Sequence, residues 1–229
     1  YFMKIFLIYF FVFFYLILIS FNSFATSKNN IFCVNIDDNI LYLKNDNSRA
    51  FTGSGKNICK FTNGQISSYG NIKNGKIDGT WTEWYKNGIK KYEHNYNNGI
   101  SDGSITRWNK YGKITSISHY KNGKKFGKEI RWRFKGTLNF FAEWKNGIRH
   151  GIFKTFYNTG QVEEIKYYID GILFNERKFW YRNGQLRYQK NYHEGKLDGK
   201  VINWYDNGNT RSIEYYKDNN KNGVCEYFH

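Results

Sequence analysis

Glycine recurs with a period of 24 residues through most of this 229-residue chain. A fixed period of that length is typical of repeat architectures, in which each unit packs on its neighbours. The glycines form three columns with this period. The third column runs from Gly55 to Gly223, and there only Asn175 replaces glycine. The other two columns, which we expect to lie in turns, contain Gly75, Gly99, Gly123, Gly147, Gly171 and Gly195, and Gly88, Gly112, Gly136, Gly160, Gly184 and Gly208.

Aromatic residues follow the same period and predict strands. They make up 21% of the chain and proline is absent, a composition that favours a pleated, half-buried sheet. Because side chains alternate along a strand, parity places the Glu83 column on a solvated face. The other face is expected to carry a continuous apolar stripe, formed by the Tyr96 column and by Trp84, Trp108, Trp132, Trp180 and Trp204, which share the parity of Thr82.

The dipeptide Asn87-Gly88 predicts where each hairpin turns. Asn-Gly favours a two-residue type I′ turn, in which both central residues have positive φ. The return connection, residues 98–103, holds two glycines and is expected to be a wider turn. The predicted fold is therefore all-β, an elongated single-layer antiparallel meander of about seven β-hairpin repeats, preceded by an N-terminal hydrophobic signal helix.

The N-terminal segment has the features of an export signal. Lys4 precedes an almost wholly apolar run over residues 5–21, and Ser23-Phe24-Ala25 offers a cleavage site. We expect a signal peptide over residues 3–25, or an uncleaved membrane anchor, and a location that is periplasmic, cell-surface or secreted. Residues 26–50 lack the glycine period and are expected to form a degenerate cap on a repeat array over residues 51–229.

Three cysteines are too few for a scaffold held by disulfides. An in-phase register places Cys33 and Cys59 two strands apart, about 10 Å, whereas bridged Cα atoms usually lie within about 7 Å. Cys225 lies near the other end of the array. We therefore expect free thiols.

The chain has a net charge of +16, which favours anionic partners. Parity places Arg131, Arg133 and Lys135 on the solvated face beside Arg107. The densest basic stretch is either an ordinary solvated edge or a site for an anionic surface or an acidic partner. The candidate binding residues are Arg107, Lys124, Lys125, Lys128, Arg131, Arg133 and Lys135.

No catalytic, cofactor or metal site is predicted. The five histidines occupy different repeat columns and do not converge as metal ligands would. The carboxylates are similarly scattered, and no nucleophile recurs beside a base. Nucleic acid is not an expected partner, because no basic motif interleaves with aromatic residues suited to stacking on single strands.

The repeat resembles the MORN repeat, and more closely its MORN-2 variant found in the YwqK family of antitoxin components. The residues that carry the likeness are the stretch 74–88 and its nearly intact copy at 194–208. The resemblance covers residues 51–229. It implies a single-layer β-sheet used for protein or lipid contact, and a role in neutralising a toxin.

Two functions therefore follow as hypotheses. The first is an exported, non-enzymatic repeat scaffold that mediates protein–protein interaction and is antitoxin-like or immunity-like. The second is a peripheral envelope protein that binds anionic lipid or polysaccharide through a basic face.

Overall fold

The computed structural model describes residues 31–37, 40–43 and 46–228. The signal peptide or anchor predicted over residues 3–25 lies outside this part of the chain, as does the predicted signal helix. The described residues form strands and turns, and none of them belongs to a helix long and apolar enough to cross a membrane.

The strands are short and follow one another closely along the chain. In chain order they are β1 (Ile31–Phe32), β2 (Val34–Asp37), β3 (Ile40–Leu43), β4 (Asp46–Ala50), β5 (Gly55–Lys60), β6 (Ile66–Lys73), β7 (Lys76–Ile77), β8 (Gly79–Trp84), β9 (Lys90–Asn97), β10 (Ile100–Trp108), β11 (Ile114–Lys121), β12 (Lys124–Lys125), β13 (Gly127–Trp132), β14 (Leu138–Lys145), β15 (Ile148–Phe156), β16 (Val162–Ile169), β17 (Ile172–Trp180), β18 (Leu186–His193), β19 (Lys196–Trp204), β20 (Thr210–Lys217), β21 (Asn220–Lys221) and β22 (Glu226–Tyr227).

Consecutive strands pair antiparallel into one open sheet of hairpins. The hairpins are β5 with β6, β8 with β9, β10 with β11, β13 with β14, β15 with β16, β17 with β18, and β19 with β20. Each hairpin also pairs with the next, so the prediction of an all-β antiparallel meander with about seven repeats is confirmed. A separate three-stranded sheet contains β2, β3 and β4.

The tight turn is at the opposite end of each repeat from the one predicted. Asn97 pairs with Ile100, so Asn98-Gly99 is a two-residue loop, and its φ values of 50° and 81° are those of a type I′ turn. Two adjacent positive φ values recur at Asn74-Gly75, Asn122-Gly123, Asn146-Gly147, Asp170-Gly171, Glu194-Gly195 and Asp218-Asn219.

The Asn87-Gly88 connection is the wider one, contrary to the prediction. The Gly88 amide donates to the Tyr85 carbonyl at 2.9 Å, and the Tyr85 amide donates to the Ile89 carbonyl at 2.8 Å. Of the two central residues only Gly88 has positive φ, at 80°. Both ends of the repeat contain Asn-Gly, so that dipeptide alone does not distinguish them.

The third glycine column faces the tyrosine column across each hairpin. Gly103, with a φ of 110°, pairs with Tyr120, and a Cβ atom at this position would lie 3.0 Å from the Asn95 Cβ. Asn175 pairs with Tyr192 and keeps a positive φ of 59°. Asparagine tolerates this left-handed conformation better than most residues, so the repeat at Asn175 retains the common geometry.

A β-bulge beside each wide turn corrects the predicted faces. Glu83 pairs with Tyr92, but its neighbour Trp84 pairs with Lys90, so Lys91 is an extra residue in the ladder. Strict alternation therefore fails, and Glu83 and Trp84 lie on one face. The same shift occurs between Arg107 and Trp108, Arg131 and Trp132, Phe179 and Trp180, and Asn203 and Trp204.

We call the side of the sheet that carries Trp81, Trp84 and Tyr92 the groove face, and the side that carries Thr82 and Glu93 the opposite face. The Tyr96 and Trp84 columns share the groove face, as predicted, but the prediction that Thr82 shares the face of Trp84 is wrong, because Thr82 lies on the opposite face. The Glu83 column lies there too, so its predicted place on a separate solvated face is wrong.

The N-terminal strands fold onto the first repeats instead of continuing the meander. β1 pairs with β5 in parallel, with Phe32 opposite Asn57. Asn57 is fully buried and its Oδ1 accepts a hydrogen bond from the Val34 amide at 2.9 Å. Val34 and Leu41 then pack against Ile72, Ile77 and Trp81 on the groove face.

The same fold-back overturns the prediction that Cys33 and Cys59 are free thiols. They form a disulfide, with their Cα atoms 4.8 Å apart. The in-phase register assumed an intervening strand, whereas the parallel pairing of β1 places Cys33 directly beside β5. Cys225 is a free thiol, as predicted.

Candidate functional site

Three concavities of about 460, 560 and 450 Å³ lie on the groove face at equivalent repeat positions. Each is lined by an aromatic residue from one wide turn and by the tryptophan 23 residues later. We call each such pair an aromatic slot. The three are Phe61 with Trp84, Tyr85 with Trp108, and Tyr181 with Trp204.

Tyrosine hydroxyls hold the slots in place from one repeat to the next. Tyr85 Oη donates to the Trp108 carbonyl at 3.0 Å, and Tyr181 Oη donates to the Trp204 carbonyl at 2.9 Å. Each bond joins consecutive hairpins, which orients the tyrosine ring against the neighbouring repeat. The same contact forms between Tyr157 and Trp180 and between Tyr205 and Phe228.

The slots fall into two runs, because two repeats lack an aromatic residue at the position of Tyr85. Asn109 and Arg133 occupy that position in the middle of the array, and the Arg133 guanidinium donates instead to the Phe156 carbonyl at 2.7 Å. Nearer the C-terminus three consecutive repeats carry such an aromatic pair joined by the tyrosine hydrogen bond, and we apply the term slot to these pairs as well. They are Tyr157 with Trp180, Tyr181 with Trp204, and Tyr205 with Phe228.

Basic side chains lie over the aromatic rings of the groove face. The Arg107 guanidinium lies 5.0 Å from the Tyr92 ring centroid, Arg187 lies 5.4 Å from that of Tyr181, and Lys190 Nζ lies 4.8 Å from that of Tyr188. Such contacts stabilise the cation and cover the ring with its aliphatic stem. The groove is therefore both aromatic and positively charged, which suits an apolar ligand carrying negative charge.

Some of this charge is neutralised within the sheet. Glu129 is only 3% exposed, and its carboxylate lies 2.7 Å from Lys125 Nζ and 2.6 Å from Arg131 Nη2. Burial by itself would raise the pKa of Glu129, but the hydrogen bonds from Lys125 and Arg131 outweigh burial and lower that pKa. These two cations are thus engaged inside the protein.

The seven basic residues predicted as one patch do not form one. Arg107 and Arg131 lie on the groove face and not on the opposite face, because of the bulge beside them. The role of the seven basic residues in binding stays a prediction. The others are dispersed: Lys125 over the Trp144 ring at 4.5 Å, Arg133 and Lys135 in a wide turn, Lys124 beside a tight turn, and Lys128 on the opposite face.

A buried histidine lies under the second slot, where the sequence signalled no site. His94 pairs with Trp81 across the hairpin, is 4% exposed, and its Nδ1 forms a hydrogen bond with the Tyr92 hydroxyl. Burial, and then the charge of Arg107, lower the pKa of His94 to about 4. The imidazole is therefore neutral near pH 7. Within the described residues, no three His, Cys, Asp or Glu side chains gather as metal ligands.

Four segments match the family model described as MORN repeat variant: residues 77–98, 149–170, 175–194 and 197–218. Each segment covers one hairpin and ends at or beside a tight turn, so the predicted likeness to the MORN-2 repeat is confirmed there. MORN repeats are generally protein- or membrane-binding motifs and are not catalytic. No curated protein sequence matches the chain, and the closer likeness to YwqK-family antitoxins has no support from a relative.

Acid should destabilise the protein through His94. With a pKa near 6.5 when unfolded and about 4 when folded, His94 binds more protons in the unfolded state between those values. The free energy of unfolding should hence be unaffected by His94 above pH 6.5 and fall by up to about 3 kcal/mol on acidification to pH 4. Urea denaturation at several pH values measures this.

The matched control is the exposed His119. His119→Gln should leave the pH dependence intact, whereas His94→Gln should remove the acid-dependent loss between pH 6.5 and 4. Identical pH profiles for wild type and His94→Gln would show that His94 does not govern acid stability.

Proposed function

We propose that this chain is a non-enzymatic binding scaffold whose groove face holds a segment of a partner protein. The observation that carries the proposal is the recurrence of the aromatic slot, with the same pair of residues and the same tyrosine hydrogen bond in successive repeats. A row of equal slots suits an extended ligand that contacts several repeats at once.

The chemistry of the slots supports a protein partner. Trp108 and Trp204 are half-buried in the sheet, and Arg107 and Arg187 beside the slots are exposed. Tryptophan, tyrosine and arginine are the residues that most often dominate the binding energy of protein interfaces. Aromatic residues that keep exposed area in a single-layer sheet can bury it against a partner.

An antitoxin-like or immunity-like role is one form of this proposal. In that form the partner is a toxin-like protein, and the groove would neutralise it by occupying a segment that the toxin needs. The resemblance of the repeat to MORN-2 antitoxin components supports this form of the proposal. Identifying the partner protein tests whether it is correct.

Photocrosslinking in the cells that make the protein tests the groove. A photoreactive phenylalanine analogue replaces Tyr227, an exposed aromatic residue that lines the concavity at Tyr181 and Trp204, and in a second strain it replaces Lys200, an exposed residue of the opposite face. We expect a discrete protein adduct from position 227 and at least tenfold less from position 200.

The second variant in this experiment is Trp204→Ala, which should reduce the adduct at position 227 at least tenfold, since burying a large apolar side chain contributes about 1.5–3 kcal/mol. Equal labelling from the two faces, or no protein adduct from the groove, would refute the proposal. Mass spectrometry of the adduct also identifies the partner and so decides the antitoxin-like form.

A second candidate function, binding to an anionic membrane or glycan surface, is favoured by the tight-turn edge. The residue pairs flanking the seven tight turns include seven lysines and four isoleucines and no acidic residue, in the described sheet. The isoleucines Ile100, Ile148, Ile169 and Ile172 are 46% to 52% exposed. Apolar residues among lysines suit a lipid interface.

Vesicle co-sedimentation tests this candidate. The protein should bind vesicles rich in phosphatidylserine, and binding should fall as salt rises, because exposed charges are screened. The double variant Ile148→Ser with Ile172→Ser should weaken binding by about tenfold. Ile66→Ser is the control, because Ile66 is 39% exposed but lies beside a wide turn. An equal loss of vesicle binding in both variants, or no vesicle binding by the wild type, would exclude the tight-turn edge as a membrane-binding site.

We also propose that the protein is exported. The Cys33–Cys59 disulfide supports this, because disulfides persist in oxidising compartments and are rare in the cytosol. The apolar run at residues 5–21 provides the expected signal or anchor.

Thiol labelling of fractionated cells tests export. In the full-length protein only Cys225 should react with a maleimide before reduction, and all three cysteines should react afterwards. Deleting residues 3–25 should retain the protein in the cytoplasm with reactive Cys33 and Cys59. A full-length protein found in the cytoplasm with three reactive thiols would contradict export.

A further inference from the structure

We infer that the three C-terminal slots receive a proline-rich segment in the polyproline II conformation, with acidic residues on the two consecutive turns that face the last two slots. The inference rests on the proposed protein-binding function and adds the chemistry of the partner. The slots concerned are Tyr157 with Trp180, Tyr181 with Trp204, and Tyr205 with Phe228.

The spacing of the slots is the first argument. Each repeat contributes two strands, and strands lie about 4.8 Å apart, so equivalent residues recur about every 9.6 Å along the groove. A polyproline II helix has three residues per turn and rises about 3.1 Å per residue, or about 9.3 Å per turn. One side chain per turn of such a ligand can therefore enter each successive slot with little accumulated error.

Other regular conformations fit this spacing less well. In a β-strand, residues three apart are separated by about 10 Å but point to opposite sides, so they cannot enter consecutive slots. In an α-helix, residues seven apart lie about 10.5 Å apart, so the mismatch over three slots approaches 2 Å. The corresponding mismatch for polyproline II is about 0.6 Å.

The shape and chemistry of the slots are the second argument. The concavity at Tyr181 and Trp204 has a volume of about 450 Å³ and is partly open to solvent. Tyr181 Oη is already bonded to the backbone, so the slot offers ring surface to its ligand. Proline presents a compact apolar ring at low conformational entropy, and aromatic grooves are the general means of binding proline-rich segments.

The charge beside the slots is the third argument. Arg187 and Arg211 occupy equivalent positions in consecutive repeats, line the same concavity and are exposed. Among residues 46–228, no carboxylate lies within 4 Å of either guanidinium. Glu214, the acidic residue of this concavity, lies 3.1 Å from Lys221 Nζ. Beside Tyr157 the equivalent position holds Glu163, so the two arginines call for acidic residues on the ligand turns that face the last two slots.

Calorimetric titration with the synthetic peptide (Pro-Pro-Glu)₄ tests the inference on the full chain. We expect binding with one peptide per chain. The peptide (Gly-Ser-Glu)₄, which has the same charge and spacing but a flexible backbone, should bind at least tenfold more weakly, because it must be ordered on binding. A proline and glutamate peptide of the same composition with scrambled spacing should also bind at least tenfold more weakly.

Two charge reversals locate the site. Arg187→Glu should weaken (Pro-Pro-Glu)₄ binding at least tenfold, and Lys200→Glu, which changes the net charge equally on the opposite face, should change it less than twofold. Trp204→Ala should abolish binding, and circular dichroism verifies its fold. Arg187→Glu, at an exposed site, keeps the test independent of that variant's folding.

Three outcomes would overturn the inference: equal binding of the flexible or scrambled peptide, equal loss from both charge reversals, or binding of an oligogalacturonate at least as tight as that of the proline peptide. A protein adduct at position 227 combined with any of these would retain the proposed function and reject only the polyproline conformation. Absence of that adduct would reject the proposed function itself.

Discussion

The two-residue turn with both residues in the left-handed region sets the geometry on which the rest of the sheet depends. Beyond reversing the chain, it links repeats: the Gly99 amide donates to the Ile77 carbonyl at 2.7 Å, and the Gly171 amide donates to the Arg149 carbonyl at 2.8 Å. The turns thus stack in register along one edge. Because the tight turns are in register, corresponding residues of successive hairpins lie at equivalent positions. The aromatic slots on the groove face are therefore equally spaced.

The periodicity of glycine and aromatic residues was sufficient to predict the repeat, the strands and the meander. It did not distinguish the two turns, because Asn-Gly occurs at both Asn74-Gly75 and Asn87-Gly88. The tighter turn is the one whose flanking residues pair directly with each other, and the sequence alone does not show that pairing. Glycine does not distinguish the turns either, because the wide turn keeps glycine from Gly64 to Gly208, whereas the last tight turn has Asn219 in its place.

The candidate site was predicted in part for a related reason. Its aromatic columns follow from the period, but the place of Arg107 and Arg131 required the bulge, and one extra residue such as Lys91 moves a whole column to the other face. The disulfide was missed because the segment before β5 leaves the repeat and pairs in parallel. A sequence period predicts the structure of the repeating residues alone. The N-terminal strands and the Cys33–Cys59 disulfide lie outside the repeat, so the period could not predict them.

A sheet without a second layer has no other sheet to cover its aromatic residues. Its own lysine and arginine side chains cover these rings, but to different extents along the array. In the middle of the array Arg149 lies 4.3 Å from the Phe153 ring centroid, and Glu129 holds Lys125 and Arg131. A ligand there would have to displace ion pairs around a buried carboxylate, which is costly.

At the last two slots Arg187 and Arg211 are exposed, and no carboxylate among residues 46–228 lies within 4 Å of their guanidinium groups, so the sheet gives up less of its own stabilisation when a ligand binds there. Each slot alone offers one ring and one charge, which is a weak site. Three slots in fixed register act on one chain, and after the first contact the others form at a high effective concentration. Affinity and specificity would then arise from the period itself, because a ligand with the wrong spacing gains only one contact.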